Sequence, residues 1–172
     1  MCRDIFKKTE YMWRELEGKK IFFTGATGFF GKLLLNSFIY NNNKLNLNAS
    51  AVVLTRKLNN SLLQIPEIKK NNSIKFHIGD IRNFKFPKED FSHIIHGATT
   101  TATETFNKQN PLTKYEIIVK GTEHLLQFAS KCNCEKFLLL SSAAAYGKQP
   151  KNKSHILEKY IGAPSTIDKN FD

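Results

Sequence analysis

A glycine-rich segment near the N-terminus constrains the fold more than any other feature of the chain. Residues 24–31 read Thr-Gly-Ala-Thr-Gly-Phe-Phe-Gly, between an apolar run at 20–24 and a segment with a broad apolar face at 30–39. Glycines between a strand and a helix allow a sharp turn and a close approach to a pyrophosphate, which the first N–H groups of the helix attract. We therefore expect a dinucleotide-binding turn, formed by Gly25, Ala26, Thr27, Gly28, Phe29, Phe30 and Gly31. A glycine-rich turn without a ligand is the alternative interpretation.

The three glycines have separate expected roles. Gly25 and Gly28 are expected to leave room for the phosphates, whereas Gly31 would let the helix pack closely against the strand. The helix itself is expected to end in the asparagine run at 41–43.

The rest of the chain alternates short β-type runs with longer helical patterns. The runs lie at 20–24, 51–55, 74–78, 93–96 and 136–141. A second helical pattern covers about 112–131, and Gly121 inside it indicates close packing against a neighbour. This alternation predicts an α/β fold with a Rossmann-type, doubly wound parallel sheet and helices on both faces. We expect the Rossmann domain over 18–172 and a helical N-terminal arm over 1–17.

Residues that follow the other expected strands are candidates for the same ligand, since ligands of open α/β sheets bind at the carboxyl ends of the strands. These candidates are Arg56, Asp80, Ile81, Gly97, Ala98 and Thr99. Asp80 could accept a hydrogen bond from an adenine amino group, or it could only begin a turn or cap a helix. Arg56 favours NADP over NAD, because an arginine there accommodates a 2′-phosphate whereas a carboxylate binds the unmodified ribose. The alternative is a solvated cation at a strand end.

Composition and charge argue against other classes of protein. The net charge is +11, but the basic residues are dispersed among asparagines, without the basic and aromatic stripe of a nucleic-acid groove. The three cysteines and five histidines lack the spacing of a metal site. No apolar stretch approaches the ~20 residues of a membrane helix, and the N-terminus lacks the apolar core of a signal peptide. We expect a cytoplasmic protein that binds neither nucleic acid, metal nor membrane.

Five motifs occur in an order that resembles one protein family. They are a TGxxGxxG loop at 24–31, an adenine-contacting segment at 79–82, an HxAA-like loop at 95–98, an NxxGT-like helix motif ending at 121–122 and an SSxxxYG segment at 140–147. The chain is thus similar to the N-terminal portion of the extended short-chain dehydrogenases/reductases, the group of NAD-dependent sugar-nucleotide epimerases and dehydratases. Ile118 departs from the pattern, because many members have an asparagine there.

The resemblance also implies a catalytic residue. Ser142, four positions before Tyr146, occupies the place of the Ser/Thr that hydrogen-bonds the reacting sugar hydroxyl. In the 4,6-dehydratases of the family the next two residues are an aspartate and a glutamate, but here they are Ala143 and Ala144, which cannot transfer a proton. An epimerase or reductase of UDP-, dTDP-, GDP- or CDP-sugars is therefore favoured over a 4,6-dehydratase.

The Tyr-x-x-x-Lys pair that supplies the family's catalytic base is the main departure. The one match, Tyr40 to Lys44, falls at the end of the first helix, and Tyr160 is followed four positions later by Pro164. The resemblance therefore implies a C-terminally truncated chain without the substrate-binding part, inactive alone but able to bind NAD(P), with a homodimer among the assemblies that it allows. The alternative is a non-catalytic NAD(P)-binding or regulatory Rossmann protein.

Overall fold

The computed structural model describes residues 2–58, 68, 71–100 and 110–163. Its longer elements are, in chain order, α1 Cys2–Trp13, β1 Lys20–Thr24, α2 Phe29–Leu45, β2 Ser50–Thr55, β3 Ile74–Ile78, β4 His93–His96, α3 Pro111–Lys131 and β5 Lys136–Leu139. Single 3₁₀ turns occupy Arg14–Leu16 and Ala143–Tyr146. None of the helices in these described ranges is both long and apolar enough to cross a bilayer. The chain forms two units, Met1–Leu139 and Leu140–Asp172.

The first unit is built on a parallel sheet of five strands in the order β3-β2-β1-β4-β5. Strand β1 lies at the centre, where Phe22 is in register with Val52 of β2 and with Ile94 of β4. The chain therefore adds strands in one direction from β1 to β3 and in the other from β4 to β5. This reversal between β1 and β4 is the switch point at which open α/β sheets form a ligand crevice. The predicted Rossmann-type parallel sheet is confirmed.

One face of the sheet packs against α2. Ile21 and Phe23, which alternate with Phe22 along β1, lie in a buried cluster with Leu35 and Phe38 of α2. The ring centroids of Phe23 and Phe38 are 6.1 Å apart. Because β1 is central and covered on both faces, its three inner residues, 21–23, are all apolar, as in other buried parallel strands.

The opposite face packs against α3 through an aromatic cluster. The Phe22 ring lies 5.2 Å from the ring of Phe91 and 5.0 Å from that of Phe128, measured between centroids, with edge-on geometry. Leu125 of α3 and Ile94 of β4 are fully buried in the same cluster. Helices therefore cover both faces, as the alternation of strands and helices predicts.

The N-terminal helical segment shares the core on the α2 side. Trp13 at the end of α1 and Leu16 in the following turn pack against the cluster that contains Phe23. The indole N–H of Trp13 also donates a hydrogen bond of 2.9 Å to Thr9 Oγ1. Trp13 and Leu16 thus have a packing partner that could not be identified from the sequence.

Helix α2 continues through the asparagine run instead of ending in it. Asn41 and Asn42 are buried, and the Asn42 amide donates to Ala49 O at 2.9 Å and accepts from Ala49 N at 3.0 Å. These bonds replace the exposed turn that asparagines usually favour. The helix reaches Leu45, and Asn46 terminates it in the left-handed conformation with φ 52°.

The second unit contains the segment that resembles SSxxxYG. Strand β5 ends at Leu139, two residues before the end expected from sequence, and the chain enters the 3₁₀ turn Ala143–Tyr146. Ser142 is the N-cap of that turn, and its Oγ accepts a hydrogen bond of 3.2 Å from Ala144 N. Gly147 follows with φ 69°, where an added Cβ would lie 2.2 Å from Ala163 O, so only glycine fits.

Candidate functional site

A cavity of about 410 Å³ lies at the carboxyl edge of the sheet in the first unit. It is lined by Thr24, Gly25, Thr27, Leu54, Thr55, Arg56, Lys57, Gly79, Asp80, Ile81, Ala98, Thr99 and Ile117. These residues come from the ends of β1, β2, β3 and β4 and from α3, so four strand ends open into one space. Its volume lies within the range of roughly 300–1,000 Å³ that is typical of small-molecule sites.

Seven of the residues expected from sequence line this cavity. They are Gly25, Thr27, Arg56, Asp80, Ile81, Ala98 and Thr99. The lining does not include the other residues expected in the first unit, Ala26, Gly28, Phe29, Phe30, Gly31 and Gly97. Ala26 and Gly31 are buried in the turn, whereas Gly28, Phe29 and Phe30 are exposed at the start of α2. Ser142 belongs to the second unit.

Gly25 and Gly31 allow close packing of the turn. Gly25 has φ +75°, and a Cβ added to it would lie 2.2 Å from the carbonyl carbon of Gly97, whereas one added to Gly31 would lie 2.2 Å from Gly25 O. Real side chains do not fit at such distances, so the turn contacts the β4 loop on one side and the first turn of α2 on the other. The side of Gly25 on which a Cβ would lie is therefore occupied by protein backbone, and Gly25 also lines the cavity. At Gly28 the nearest contact of a Cβ is an ordinary 3.4 Å.

The start of α2 is arranged to attract an anion. Gly28 is the N-cap and has no side chain with which to cap the first turn, and that turn contains no acidic residue. Lys32 N donates to Gly28 O at 3.0 Å, so the helical pattern begins at the glycine. The N–H groups before Lys32 have no partner within the helix, and the helix dipole adds positive potential there. This combination is the one that binds phosphate groups in dinucleotide folds.

Asp80 is held by the side chain two positions after it. Arg82 Nε donates to Asp80 Oδ1 at 2.8 Å, and Arg82 Nη2 donates to Oδ2 at 3.0 Å. These hydrogen bonds lower the pKa of the Asp80 carboxyl, which is therefore ionised at neutral pH. Asp80 O also accepts from Phe84 N at 2.8 Å, so Asp80 both begins a turn and lines the cavity. Arg82 is thus a residue of the site without a role predicted from sequence, although its position two residues after Asp80 would have allowed this ion pair to be predicted.

The end of β2 adds positive charge to the cavity. Arg56 and Lys57 are exposed and line it, and Thr55 Oγ1 donates to Lys57 O at 2.8 Å, which fixes the backbone at this strand end. The Arg56 charge also contributes to the lowered pKa of Asp80, after the larger effects of Arg82. The two strand ends therefore interact electrostatically across the site.

His96 is a buried residue at this edge of the sheet that was not among the site residues predicted from sequence. Its Nδ1 lies 2.8 Å from Thr24 Oγ1 and its Nε2 lies 3.0 Å from Thr122 Oγ1. Burial lowers the pKa of His96 to about 4, so the ring is neutral at pH 7. Gly97 N and Ala98 N each donate to Thr24 Oγ1 at 3.2 Å. The ring thus connects the ends of β1 and β4 with α3.

Metal-binding chemistry is not evident in the part of the chain that the structure describes. There, no group of three or more His, Cys, Asp or Glu side chains is placed to hold an ion. Cys132 and Cys134 are free thiols, and burial raises the pKa of both, which disfavours the thiolate form.

Comparisons with known proteins agree in family and fold. The model of the "NAD dependent epimerase/dehydratase family" matches residues 21–166. A UDP-glucose 4-epimerase from Cyamopsis tetragonoloba is 32% identical over 147 residues, which are 78% of this chain and 39% of that protein. The chain therefore spans about two fifths of the length of the curated relatives it matches.

Two solved structures show the same similarity. The UDP-Glc/GlcNAc 4-epimerase from Campylobacter jejuni matches with a TM-score of 0.69 and 25% identity, over 86% of this chain and 44% of that chain. A UDP-glucose-4-epimerase from Stenotrophomonas maltophila, solved with bound NAD and formylated UDP-arabinopyranose, matches with a TM-score of 0.64 over 87% of this chain and 43% of that chain. Its identity is 17%, so this match concerns the fold alone.

Proposed function

Because the chain belongs to the NAD dependent epimerase/dehydratase family, we propose that its first unit binds NAD(P)(H) in the cavity at the carboxyl edge of the sheet. One observation carries the proposal: the glycine turn and the ends of four strands line a single cavity at the switch point between β1 and β4. The residues fit the ligand chemically. An uncapped helix start suits a pyrophosphate, and an ionised carboxylate suits an amino group.

Each part of the dinucleotide has a proposed partner. The backbone of residues 25–31 would hold the pyrophosphate at the start of α2. Asp80 and Ile81 would face the adenine, with the Asp80 carboxylate oriented by its two hydrogen bonds to Arg82. Residues 97–99, after β4, would lie beside the nicotinamide end. When bound, the cofactor would supply hydride transfer, and these residues would bind it, orient it and limit access of water.

The end of β2 supports binding of NADP(H) at least as strong as that of NAD(H). Residues 55–58 are Thr-Arg-Lys-Leu, without a carboxylate for an unmodified adenosine ribose. Arg56 and Lys57 both line the cavity, where their charges would attract a 2′-phosphate.

The substrate class we propose is a nucleotide sugar, and the reaction class is epimerisation or reduction. The support is that the similar proteins are named as epimerases of UDP-sugars. Ser142 would hydrogen-bond the reacting sugar hydroxyl, since its Oγ accepts from Ala144 N and keeps its own proton to donate. Ala143 and Ala144 offer no acid or base for a 4,6-elimination.

The 172-residue chain alone is proposed to be catalytically inactive. No Tyr-x-x-x-Lys pair follows Ser142 in this sequence, so the family's proton acceptor has no counterpart there. Incubation with UDP-glucose and NAD, followed by chromatography of the sugars, should show no epimer. Stereospecific turnover would mean that another group serves as the base.

Cofactor fluorescence tests the proposed site directly. NADPH and NADH are titrated into the parent chain, the Gly28→Asp variant and the Asn43→Asp variant. We expect Gly28→Asp to weaken binding at least tenfold, because it places a carboxylate where the phosphates would lie. Asn43→Asp is the matched control, since it adds the same charge at an exposed position of the same helix. If Gly28→Asp binds as the parent does, the assigned site is wrong.

A second variant tests cofactor choice. Arg56→Ala should weaken NADPH binding more than NADH binding, because only NADPH carries the 2′-phosphate. Equal losses for the two cofactors would contradict the proposed preference while leaving nucleotide binding itself intact.

A further inference from the structure

Both ring nitrogens of His96 are engaged in hydrogen bonds to hydroxyl groups. The ring is buried at the end of β4, with Nδ1 2.8 Å from Thr24 Oγ1 and Nε2 3.0 Å from Thr122 Oγ1. A hydroxyl can donate or accept, so the direction of each bond depends on which ring nitrogen carries the proton.

The donor and the acceptor of the two hydrogen bonds can be deduced from Thr122 of α3. Thr122 Oγ1 lies 2.5 Å from Ile118 O, and a carbonyl oxygen can only accept, so the Thr122 hydroxyl donates its proton there. The same hydroxyl must then accept from His96, which places the ring proton on Nε2. In a neutral ring Nδ1 is then unprotonated and accepts from Thr24. The lowered pKa of His96 supports the neutral state.

On the β1 side, the Nε2–H tautomer of His96 leaves the Thr24 hydroxyl able to accept hydrogen bonds from two backbone amides. Because the Thr24 hydroxyl gives its proton to His96, its oxygen lone pairs are free to accept from Gly97 N and Ala98 N, each at 3.2 Å. Gly97 N is also 3.1 Å from the backbone carbonyl of Thr24, so the Ala98 amide depends more on the hydroxyl. The opposite tautomer would direct a third donor at Thr24 Oγ1, which buried hydroxyls do not accommodate well.

One of these two amides belongs to a residue that lines the candidate site, and the other belongs to the residue before it. Ala98 lines the cavity, and Gly97 is the backbone against which the Gly25 turn packs at a distance that only glycine allows. A shift of residues 97–98 would therefore displace the turn that is proposed to hold the pyrophosphate.

We propose that His96, as its neutral Nε2–H tautomer, is a positioning residue of the nucleotide site. It orients the Thr24 hydroxyl so that the oxygen holds the backbone of Gly97 and Ala98 against the end of β1. Its contribution to ligand binding rests on the proposed function, whereas the tautomer and the placement of the loop can be measured without ligand.

Two substitutions of His96 distinguish the contributions of its two ring nitrogens. His96→Asn retains an acceptor near the position of Nδ1, and His96→Gln retains a donor near the position of Nε2. NADPH titration and thermal unfolding are measured for both variants of the 172-residue chain. We expect both variants to lose thermal stability. The Gln variant should bind NADPH at least tenfold more weakly than the parent. The Asn variant should retain most of the parent's affinity for NADPH. Equal losses of affinity in the two variants would overturn the positioning role.

The tautomer of His96 and the placement of residues 97–98 can also be measured in the absence of ligand. Nitrogen NMR of the histidine ring should show Nε2 protonated and Nδ1 unprotonated at pH 7, and the Ala98 amide should exchange slowly with deuterium in the parent and the Asn variant but faster in the Gln variant. A protonated Nδ1, or equal exchange in all three, would refute the proposal. If the parent binds neither NADPH nor NADH, the proposed function fails, and these two readings alone decide the role of His96 in the loop.

Discussion

At Gly25 a single residue meets two independent constraints. Its φ of +75° is strained for a residue with a side chain, and a Cβ would lie 2.2 Å from the carbonyl carbon of Gly97. The Cβ would collide with backbone atoms of Gly97 and Ala98, and its own position is fixed by the backbone, so a rotamer change cannot relieve the contact. The glycine is therefore required by the protein itself, before any ligand is considered.

Gly25→Ala should lower the free energy of unfolding by about 1–3 kcal/mol from backbone strain alone, with the collision adding to this loss. Urea unfolding followed by circular dichroism measures the change. Gly28→Ala is the control in the same loop, because its φ is −75° and its Cβ would have an ordinary 3.4 Å contact. Similar losses for the two variants would argue against the tight packing of the turn.

The positions of single residues were predictable where a motif is local. The glycine turn and Asp80 follow directly after the strands that position them, so their placement at the carboxyl edge of the sheet could be inferred from neighbouring residues. His96 could not be interpreted in this way, since its partner Thr24 is 72 positions away and Thr122 is 26 positions away. Hydrogen bonds across such separations exist only once the sheet and α3 have packed.

Among the elements, α2 is joined to the start of β2 by one buried side chain. The Asn42 amide makes both an accepting and a donating bond with the backbone of Ala49, as a neighbouring strand would. The sequence placed the helix end in the asparagine run because asparagines usually favour turns. Ala49, the partner of Asn42, comes after the helix has ended, so helical periodicity could not predict this contact.

Asn42→Ala should destabilise the chain by about 2–4 kcal/mol, because it leaves a buried N–H and a buried C=O of Ala49 without their partner. Chemical unfolding of this variant is compared with that of Asn43→Ala, which changes an exposed residue of the same helix. The control should be neutral or slightly stabilising, since alanine favours helices. An equally mild effect at both positions would show that the Asn42 bonds contribute little.

Whether a segment forms a helix or a strand was more predictable than which other element it packs against. The five strands and the two longer helices follow from apolar periodicity, and Gly121 within α3 does pack closely, with an added Cβ 2.9 Å from Ile81 Cγ2. The packing partner of α1 could not be predicted, because its apolar residues would suit many surfaces. The structure places Trp13 and Leu16 on the α2 side of the sheet.

At the scale of the whole molecule, two separate apolar cores support one sheet, and the buried His96 lies at its carboxyl edge. The described hydrogen-bond partners of the His96 ring are the hydroxyls of Thr24 and Thr122, and burial alone accounts for its lowered pKa. A buried neutral imidazole makes the stability of a protein depend on pH.

Acidification should therefore destabilise the chain between about pH 6.5 and pH 4. The usual histidine pKa is 6.5 and that of folded His96 is about 4, so in this window the unfolded chain binds the proton and the folded chain does not. The free energy of unfolding then falls as the pH falls, by about 3 kcal/mol over the full interval. Urea unfolding at several pH values measures the slope. His96→Asn should reduce this slope because it cannot titrate, and an unchanged slope would assign the pH dependence to other groups.

The pairing of β1 with β4 affects the order in which the molecule folds. Strand β1, α2 and β2 are consecutive and associate through short connections, whereas Thr24 and His96, which are 72 positions apart, meet only after the chain between them has formed a loop. Longer loops lose more chain entropy on closure, and non-local contacts form more slowly. The crevice is therefore expected to be completed late, so a nucleotide added during refolding would capture only those molecules in which this closure has already occurred.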